Sequence, residues 1–232
     1  MKIALAQTRP VKGDIAANLD DHIRYIKQAA GQGAELVLFP ELSVSGYEPS
    51  LAKDLAFEAD DHRLDILQAL VDELNIHVCA GAPLRSNESV YIGMFILSPK
   101  AQREWYTKQY LHDDELPFFK AGTKANLRFE TNNNLSLSIC YELSVPAHAE
   151  QAYRSGSKIY LSSVAKTPAG IEKAMATLSE LPSKFGMSVA MVNCVGTCDN
   201  FICGGKSTAW NNQGQVTGQL GEREEGLLIT EV

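Results

Sequence analysis

No stretch of the 232-residue chain reaches the ~18 uninterrupted apolar residues that a membrane-spanning helix needs, and the N-terminal "MKIALAQTRP" is too short an apolar stretch for a signal-peptide core. A cytoplasmic protein is the expectation. Positive charge is scarce as well: 21 Lys and Arg stand against 28 Asp and Glu, a formal net charge of −7, with no basic cluster interleaved with aromatics. That balance argues against a surface that tracks nucleic-acid phosphates, so neither nucleic acid nor membrane is expected as a partner. Cysteines number five, at positions 79, 140, 194, 198 and 203, an odd count at irregular spacings. Without an export signal they read as reduced thiols rather than a disulfide framework. The late trio Cys194, Cys198 and Cys203 lacks the paired C-x2-C knuckles and nearby histidines of a zinc site. Small residues packing near a strand end are the expectation there, and no metal or other cofactor is called for. Internal repeats, low-complexity tracts and linker-like shifts in composition are absent too, which leaves one domain over residues 1–232.

What is present is an alternation of strand-length apolar runs with helical patterns. "KIALAQT" and "ELVLFPEL" bracket a helix in "NLDDHIRYIKQAAGQGA", where Ile23, Ile26 and Ala30 share one face and Gly31 and Gly33 supply a stop. A second helix, around "HRLDILQALVDELN", leads into "IHVCAGAP". "SVYIGMFILSP" and "QREWYTKQY" form a hairpin about Ser98–Lys100, and "NLRFETNNNLSLSIC" another with asparagines at its tip. "PAHAEQAYRSGSKIYLSSV" is helix then strand. "GIEKAMATLSELPSKFG" is a helix that Pro182 should end or kink. "MSVAMVNCVG", "KSTAWNN" and "GLLITEV" complete the strands. The pattern describes an α/β domain of mixed sheets covered by helices.

One dodecamer, "LSLSICYELSVP", stands out. Leu135, Leu137 and Ile139 alternate with Ser136, Ser138 and Cys140, which puts the thiol opposite the Leu/Ile face. Pro146 suits the first turn of a helix, with Ser144 as its cap, so Cys140 occupies a strand-to-helix turn where following N–H groups can face an anion. A buried structural cysteine is the ordinary alternative, and a thiol needs a base before it is a catalyst. Glu41 lies just past a buried strand in "FPELSVSGYEP", a common active-site placement in α/β folds, though a loop carboxylate satisfying backbone N–H groups is equally ordinary. Lys108 ends a strand in "WYTKQYLHDDELPFFKAG", with Glu115 in the following loop. A lysine at a strand edge is usually solvated, and His112 has no serine motif or carboxylate signature around it and reads as a loop residue.

Taken in order, "FPEL" through Gly46, "YTKQYL" and "ICYE" resemble the nitrilase superfamily of carbon–nitrogen hydrolases, in its small amidase branch. Glu41 and Lys108 are 67 residues apart, and Lys108 and Cys140 are 32 apart. The later "NCVG…FICGGKSTAWNNQGQV" is similar to the family's Asn-x-x-Gly, Gly-x-Ser and glycine-turn segment, so the resemblance covers essentially the whole chain. It implies an α-β-β-α four-layer sandwich, a homodimer or higher homo-oligomer, and a Glu–Lys–Cys triad. By that resemblance Glu41 is the general base, Cys140 the nucleophile, Lys108 the cation beside the developing oxyanion, and Glu115 a second glutamate that positions the lysine and substrate. The chemistry suits the residue types, because an amide is a poor electrophile and needs both a base and charge stabilisation for thiolate attack. Lys108 and the Tyr141 N–H would supply that stabilisation. The implied activity is hydrolysis of a small aliphatic carboxamide to acid and ammonia through a thioester, with no cofactor.

The chain departs from the family around the thiol. Many small amidases read Cys-Tyr-Asp-x-Arg-Phe-Pro-Glu, whereas here Glu142 replaces the Asp, Ser144 stands at the arginine and Ala147 at the last glutamate. Loss of that arginine puts ω-amides of dicarboxylic acids in question as substrates. Lys166, in "SSVAKTP", is the residue that would restore a cation, and Tyr141, Glu142 and Lys166 are the expected substrate-binding set. Nitriles are disfavoured because the chain lacks the long C-terminal extension of nitrilases. Two further readings stand beside hydrolysis: a catalytically silent binding or regulatory member, and an acyltransferase that passes the same thioester to an amine.

Overall fold

The computed structural model describes residues 1–123, 128–129 and 134–232. Its first half runs β1 (Lys2–Gln7), α1 (Ile15–Gly31), β2 (Leu36–Leu38), the short α2 (Ala52–Leu55), α3 (Asp65–Leu74), β3 (His77–Ser86), β4 (Ser89–Leu97) and β5 (Glu104–Thr107). The second half runs β6 (Arg128–Phe129), β7 (Leu135–Ile139), α4 (Pro146–Arg154), β8 (Ile159–Ser163), α5 (Pro168–Phe185), β9 (Ser188–Val192), β10 (Val195–Cys198), β11 (Phe201–Gly204), β12 (Thr208–Trp210), β13 (Val216–Gln219) and β14 (Gly226–Glu231).

Two six-stranded sheets result, ordered β14-β1-β2-β3-β4-β5 and β6-β7-β8-β9-β12-β13, with β10 and β11 as a separate ribbon. Read in those directions, both sheets run antiparallel, parallel, parallel, antiparallel, antiparallel. The same ladder is thus built twice although no repeat is visible in the letters. The parallel pairs come from the strand–helix–strand units, since parallel neighbours need a crossover.

Strand alternation sorts side chains into layers. Ile3 and Leu5 of β1 join a cluster shared with Leu135, Leu137 and Ile139 of β7, between the sheets. Ala4 and Ala6 turn the other way, onto Leu19, Tyr25, Ile26 and Ala29 of α1 and Leu67, Leu70 and Val71 of α3. α4 and α5 cover the second sheet through Ala149, Ala152, Ile171, Ala174 and Leu178. The four-layer α-β-β-α arrangement of two mixed sheets is therefore as expected.

Local expectations fared unevenly. Helix α1 buries Leu19, His22, Tyr25, Ile26 and Ala29, while Ile23 and Ala30 sit at the margin of that face. Its start is at Ile15, where the Asp14 side chain caps the Ala17 N–H. Pro182 does not end α5, which runs on to Phe185 because the proline falls in its last turn. The Gly186 N–H donates to the Pro182 carbonyl at 2.8 Å from a left-handed cap. Ser144 caps nothing; it belongs to a 3-10 turn over Cys140–Ser144, and Val145 occupies the cap position of α4. The pairing of β6 with β7 is antiparallel as expected, but the asparagine tip of that hairpin lies outside the described residues. Among the described residues no helix is long and apolar enough to cross a membrane.

A single glycine makes room for the chain as it leaves the first sheet. Gly81 in β3 lies against the segment after β2, where an added Cβ would sit 2.5 Å from the Leu42 nitrogen and 2.6 Å from the Pro40 carbonyl oxygen. Backbone cannot yield as a flexible side chain does. Gly81→Ala is expected to lower unfolding free energy by about 2–3 kcal/mol in urea titrations, and to lower any activity that depends on Glu41. A variant as stable and as active as the wild type would contradict this packing.

Candidate functional site

Strands β2, β5 and β7 all end at one place, and each delivers one polar side chain there. After β2 the chain leaves the sheet at Phe39, whose carbonyl accepts the Ser163 hydroxyl of β8 at 2.8 Å and whose ring stacks on His22 at 3.9 Å. Glu41 follows, 1% exposed, with Leu42 at φ 52° forcing the turn. After β5, the Lys108 N–H donates to the Ile92 carbonyl at 2.9 Å, and the side chain points inward, fully buried.

Lys108 is the centre of the site. Its Nζ donates to Glu41 Oε1 at 2.8 Å and to Glu115 Oε1 at 2.6 Å. Glu115 is itself held by the Tyr47 hydroxyl on Oε1 at 2.9 Å and by the His112 N–H on Oε2 at 2.8 Å. Both oxygens of Glu115 are thereby used, whereas among the described residues Glu41 Oε2 is buried with no hydrogen-bond partner. Lys108 first, and then Cys140, are neighbours that favour charge on Glu41.

Electrostatics follow from burial and from this crowding. Burial pushes the Glu41 carboxyl up, against the opposing pull of Lys108, and Glu115 pushes the same way as burial. For Lys108, burial alone would lower the pKa; Glu41, Cys140 and Glu115 outweigh it, and the ammonium is held charged. The Cys140 thiol is pushed up to about 11 by burial and by Glu41, with Lys166 and Lys108 pulling it back. At pH 7 a thiol of that pKa is ionised in roughly one molecule in ten thousand, so a thiolate has to be made at the moment of reaction by a neighbouring base. Inactivation by a small neutral reagent such as methyl methanethiosulfonate, without substrate, should accordingly quicken about tenfold per pH unit from pH 7 to 9. A plateau below pH 8 would show a preformed thiolate.

The turn that carries Cys140 is strained and braced. Cys140 has φ 45°, a region that L-residues other than Asn and Asp seldom enter. Glu142 holds that geometry: Oε2 accepts the Ile139 N–H at 2.8 Å, and Oε1 accepts the Gln109 N–H at 2.6 Å and the Tyr106 hydroxyl at 2.7 Å. His148 completes the support, 3.1 Å from the Tyr106 hydroxyl and 2.7 Å from that of Tyr160. Burial lowers the His148 pKa to about 4, so the ring is neutral.

Of the expected substrate-binding residues, Glu142 is corrected. It is fully buried and both its oxygens are engaged with protein donors, which makes it a brace for the Cys140 turn rather than a ligand. The Tyr141 side chain is 38% exposed, edge-on to His112 at 5.5 Å, and its backbone nitrogen lies in the first turn after the thiol. Lys166 is half-buried and near enough to Cys140 for its charge to favour the thiolate. Asn193 fixes its backbone, accepting the Lys166 N–H at 2.9 Å and donating to the Lys166 and Gly205 carbonyls. His112 is a loop residue, as expected, paired with Asp114 at 2.7 Å, but its backbone N–H is part of the site.

Sequence reading missed Tyr47, Tyr106 and His148. Tyr47 directly follows Gly46, whose φ of 76° reverses the chain; that glycine was the one available signal. For Tyr106 and His148 there was none, since each reads locally as an ordinary core or helix residue.

Comparison with known proteins identifies the family and the fold. The family model described as carbon–nitrogen hydrolase matches residues 2–232. Among curated proteins, the glutamine-dependent NAD(+) synthetase of Thermotoga maritima is 25% identical over 97% of this chain, which corresponds to 41% of that protein. The chain thus spans less than half the length of several curated relatives it matches. The 2-oxoglutaramate amidase of Bacillus subtilis is 26% identical over 86% of this chain and 78% of its own. Among solved structures, a mutant of the amidase from Nesterenkonia sp. AN1, with acrylamide added at its active-site cysteine, superposes with a TM-score of 0.91 at 25% identity. That match covers 100% of this chain and 93% of the other. Another mutant of that amidase, in complex with butyramide, gives the same TM-score of 0.91 over 100% of this chain and 90% of the other.

Proposed function

The chain belongs to the carbon–nitrogen hydrolase family, and on that premise we propose that it hydrolyses a small carboxamide to the acid and ammonia through a Cys140 thioester. The observation that carries the proposal is the division of labour on Glu41: one carboxylate oxygen is held by Lys108 and the other is buried without a donor among the described residues. A carboxylate arranged so has one position open for a proton.

In the proposed sequence, Glu41 takes the thiol proton as Cys140 sulfur attacks the amide carbon, so no stable thiolate is required. The carbonyl oxygen becomes an oxyanion between the Lys108 ammonium and the Tyr141 N–H. In a water-poor site such fixed donors act strongly, because no solvent has to reorganise around them. Glu41 then gives its proton to the leaving nitrogen, the C–N bond breaks, and ammonia departs from a thioester. Water enters, Glu41 removes a proton from it, and attack on the thioester carbon releases the acid and returns the proton to sulfur. Glu115 keeps Lys108 in place throughout. No step calls for a metal or an organic cofactor.

For substrate, the likeness to an amidase whose mutant is in complex with butyramide supports short aliphatic amides. The relatives named 2-oxoglutaramate amidase and glutamine-dependent synthetase support amides that also carry a carboxylate, and the proposed cation for it is Lys166, whose charge is felt at Cys140. A panel of butyramide, glutamine and 2-oxoglutaramate separates the two, read as ammonia release with and without an added amine acceptor. The expected result is ammonia and free acid in equal amounts, undiminished by the amine. Amide of the added amine, formed in place of acid, would assign acyl transfer; no ammonia from any carboxamide would overturn the proposal.

A further inference from the structure

Three of the five cysteines meet at a single point beside the catalytic loops. Cys194 lies between β9 and β10, Cys198 ends β10, and Cys203 lies in β11. Residues Cys198 and Phe201 face each other across the ribbon, as do Gly196 and Cys203, so Cys198 and Cys203 are diagonal neighbours on one side of it. Cys194 has the same strand parity and reaches that side too. The three sulfurs form a triangle with edges of 2.9, 2.9 and 3.5 Å, and each residue is 1–3% exposed. The spacing in the letters suggested only small side chains filling space, and a lone core thiol such as Cys79 does that without meeting another sulfur. Here three sulfurs face one another in a single buried cluster.

We propose that Cys194, Cys198 and Cys203 bind a soft metal ion in a three-coordinate thiolate site, with Cu(I) as the ion that fits. The donor set decides the class of ion, because thiolates select soft metals over Mg or Ca. Among the described residues no His, Asp, Glu or further Cys joins the trio, which disfavours zinc and its usual closed set of four ligands. A three-coordinate ion with bonds of about 2.3 Å needs sulfurs about 4.0 Å apart, so the triangle opens by roughly an ångström on loading. Binding replaces three S–H protons by one Cu⁺, releasing three protons and leaving a site of charge −2. The Arg9 guanidinium packs on Gly196 at the middle of the ribbon, while Glu48, paired with Lys12 at 2.6 Å, and Asp199 are acidic neighbours of Cys198.

The position gives the site a consequence. The ribbon that carries it touches both flanks of the proposed catalytic centre: the Gly204 N–H donates to the Lys166 carbonyl at 2.8 Å, and the Phe201 ring meets Tyr47 edge-on at 5.7 Å. An ion at the trio therefore stiffens the supports of Lys166 and Tyr47 without touching substrate.

The test uses the full chain, reduced and handled without oxygen, in a Cys140→Ala background so that the reactive thiol cannot serve as a ligand. Titration with Cu(I) alone against a chromogenic Cu(I) chelator is expected to show one ion per chain. X-ray absorption is expected to show three sulfur neighbours at about 2.2–2.3 Å and no nitrogen or oxygen. Cys198→Ser and Cys203→Ser should each weaken binding by about 100-fold or more, while Cys79→Ser leaves it unchanged. Failure to compete with the chelator, nitrogen or oxygen in the first shell, or an affinity in both serine variants unchanged from the Cys140→Ala parent overturns the proposal. So does a reduced protein that binds no Cu(I) but forms a disulfide within the trio in air. If the serine variants do not fold, the absorption spectrum of the unaltered trio decides alone.

Discussion

Lys108→Met should unfold the protein more readily by about 3–5 kcal/mol and abolish amide hydrolysis in whatever remains folded. The ammonium lies between two carboxylates that are at most 1% exposed, at 2.8 and 2.6 Å, and methionine fills its volume without its charge. Glu41 and Glu115 would then face each other with no cation between them. Burial already pushes Glu41 up, and loss of Lys108 removes the main opposing pull. With a folded pKa above the unfolded one, the native state binds more protons, so stability falls as pH rises above the ordinary carboxylate range of about 4.3. The variant should therefore be most nearly native near pH 5 and lose stability toward pH 8, the range over which its Glu41 would act as base only by unfolding the site. Adding Glu115→Gln should restore part of the stability, by removing one of the two buried charges, and none of the activity. Urea titrations at several pH values check both; a loss below about 1 kcal/mol, or a loss independent of pH, would show that the three groups do not share one charge balance.

Cys140→Ala should behave in the opposite way, with turnover falling by about 10⁴-fold or more while the unfolding midpoint hardly moves. Among the described residues the sulfur's hydrogen bond is a long one, 3.9 Å to the Ala165 carbonyl, and the alanine Cβ keeps much of its packing against the core. What keeps the turn in place is the Glu142 carboxylate with its donors from Ile139, Gln109 and Tyr106, none of which the substitution touches. The backbone strain at φ 45° is equally present in both proteins. A large loss of stability would instead make Cys140 a structural residue, the ordinary reading of a buried thiol, and would favour a silent binding member of the family.

The four-layer stacking was implied by the family resemblance, whereas mixed sheets covered by helices were legible in the sequence because they depend on periodicity, which β1, β7 and β8 carry plainly. The ends of elements were less so. Ser144 has the side chain of a helix cap, yet the need to hold Cys140 tightens that stretch into a 3-10 turn, and the helix starts after it. "MSVAMVNCVG" reads as one strand, but it breaks at Asn193, whose side chain binds Lys166 and Gly205, and β10 leaves the sheet to pair only with β11. Glu41, Lys108, Glu115 and Cys140 were singled out by the family resemblance, each reading by itself as an ordinary residue. Glu142 could not be assigned correctly, because only its partners 33 and 36 residues away show that both oxygens are occupied. The convergence of the three late sulfurs was hidden for the same reason: it comes from a hairpin's register and its curl, not from spacing.

Intact-mass measurement of the protein quenched during turnover of butyramide tests the central claim most directly. Wild type should show a transient species heavier by the amide less ammonia, with the added mass on Cys140 after digestion, and Cys140→Ala should show none. An adduct on another residue, or product formed at full rate by Cys140→Ala, would contradict the account.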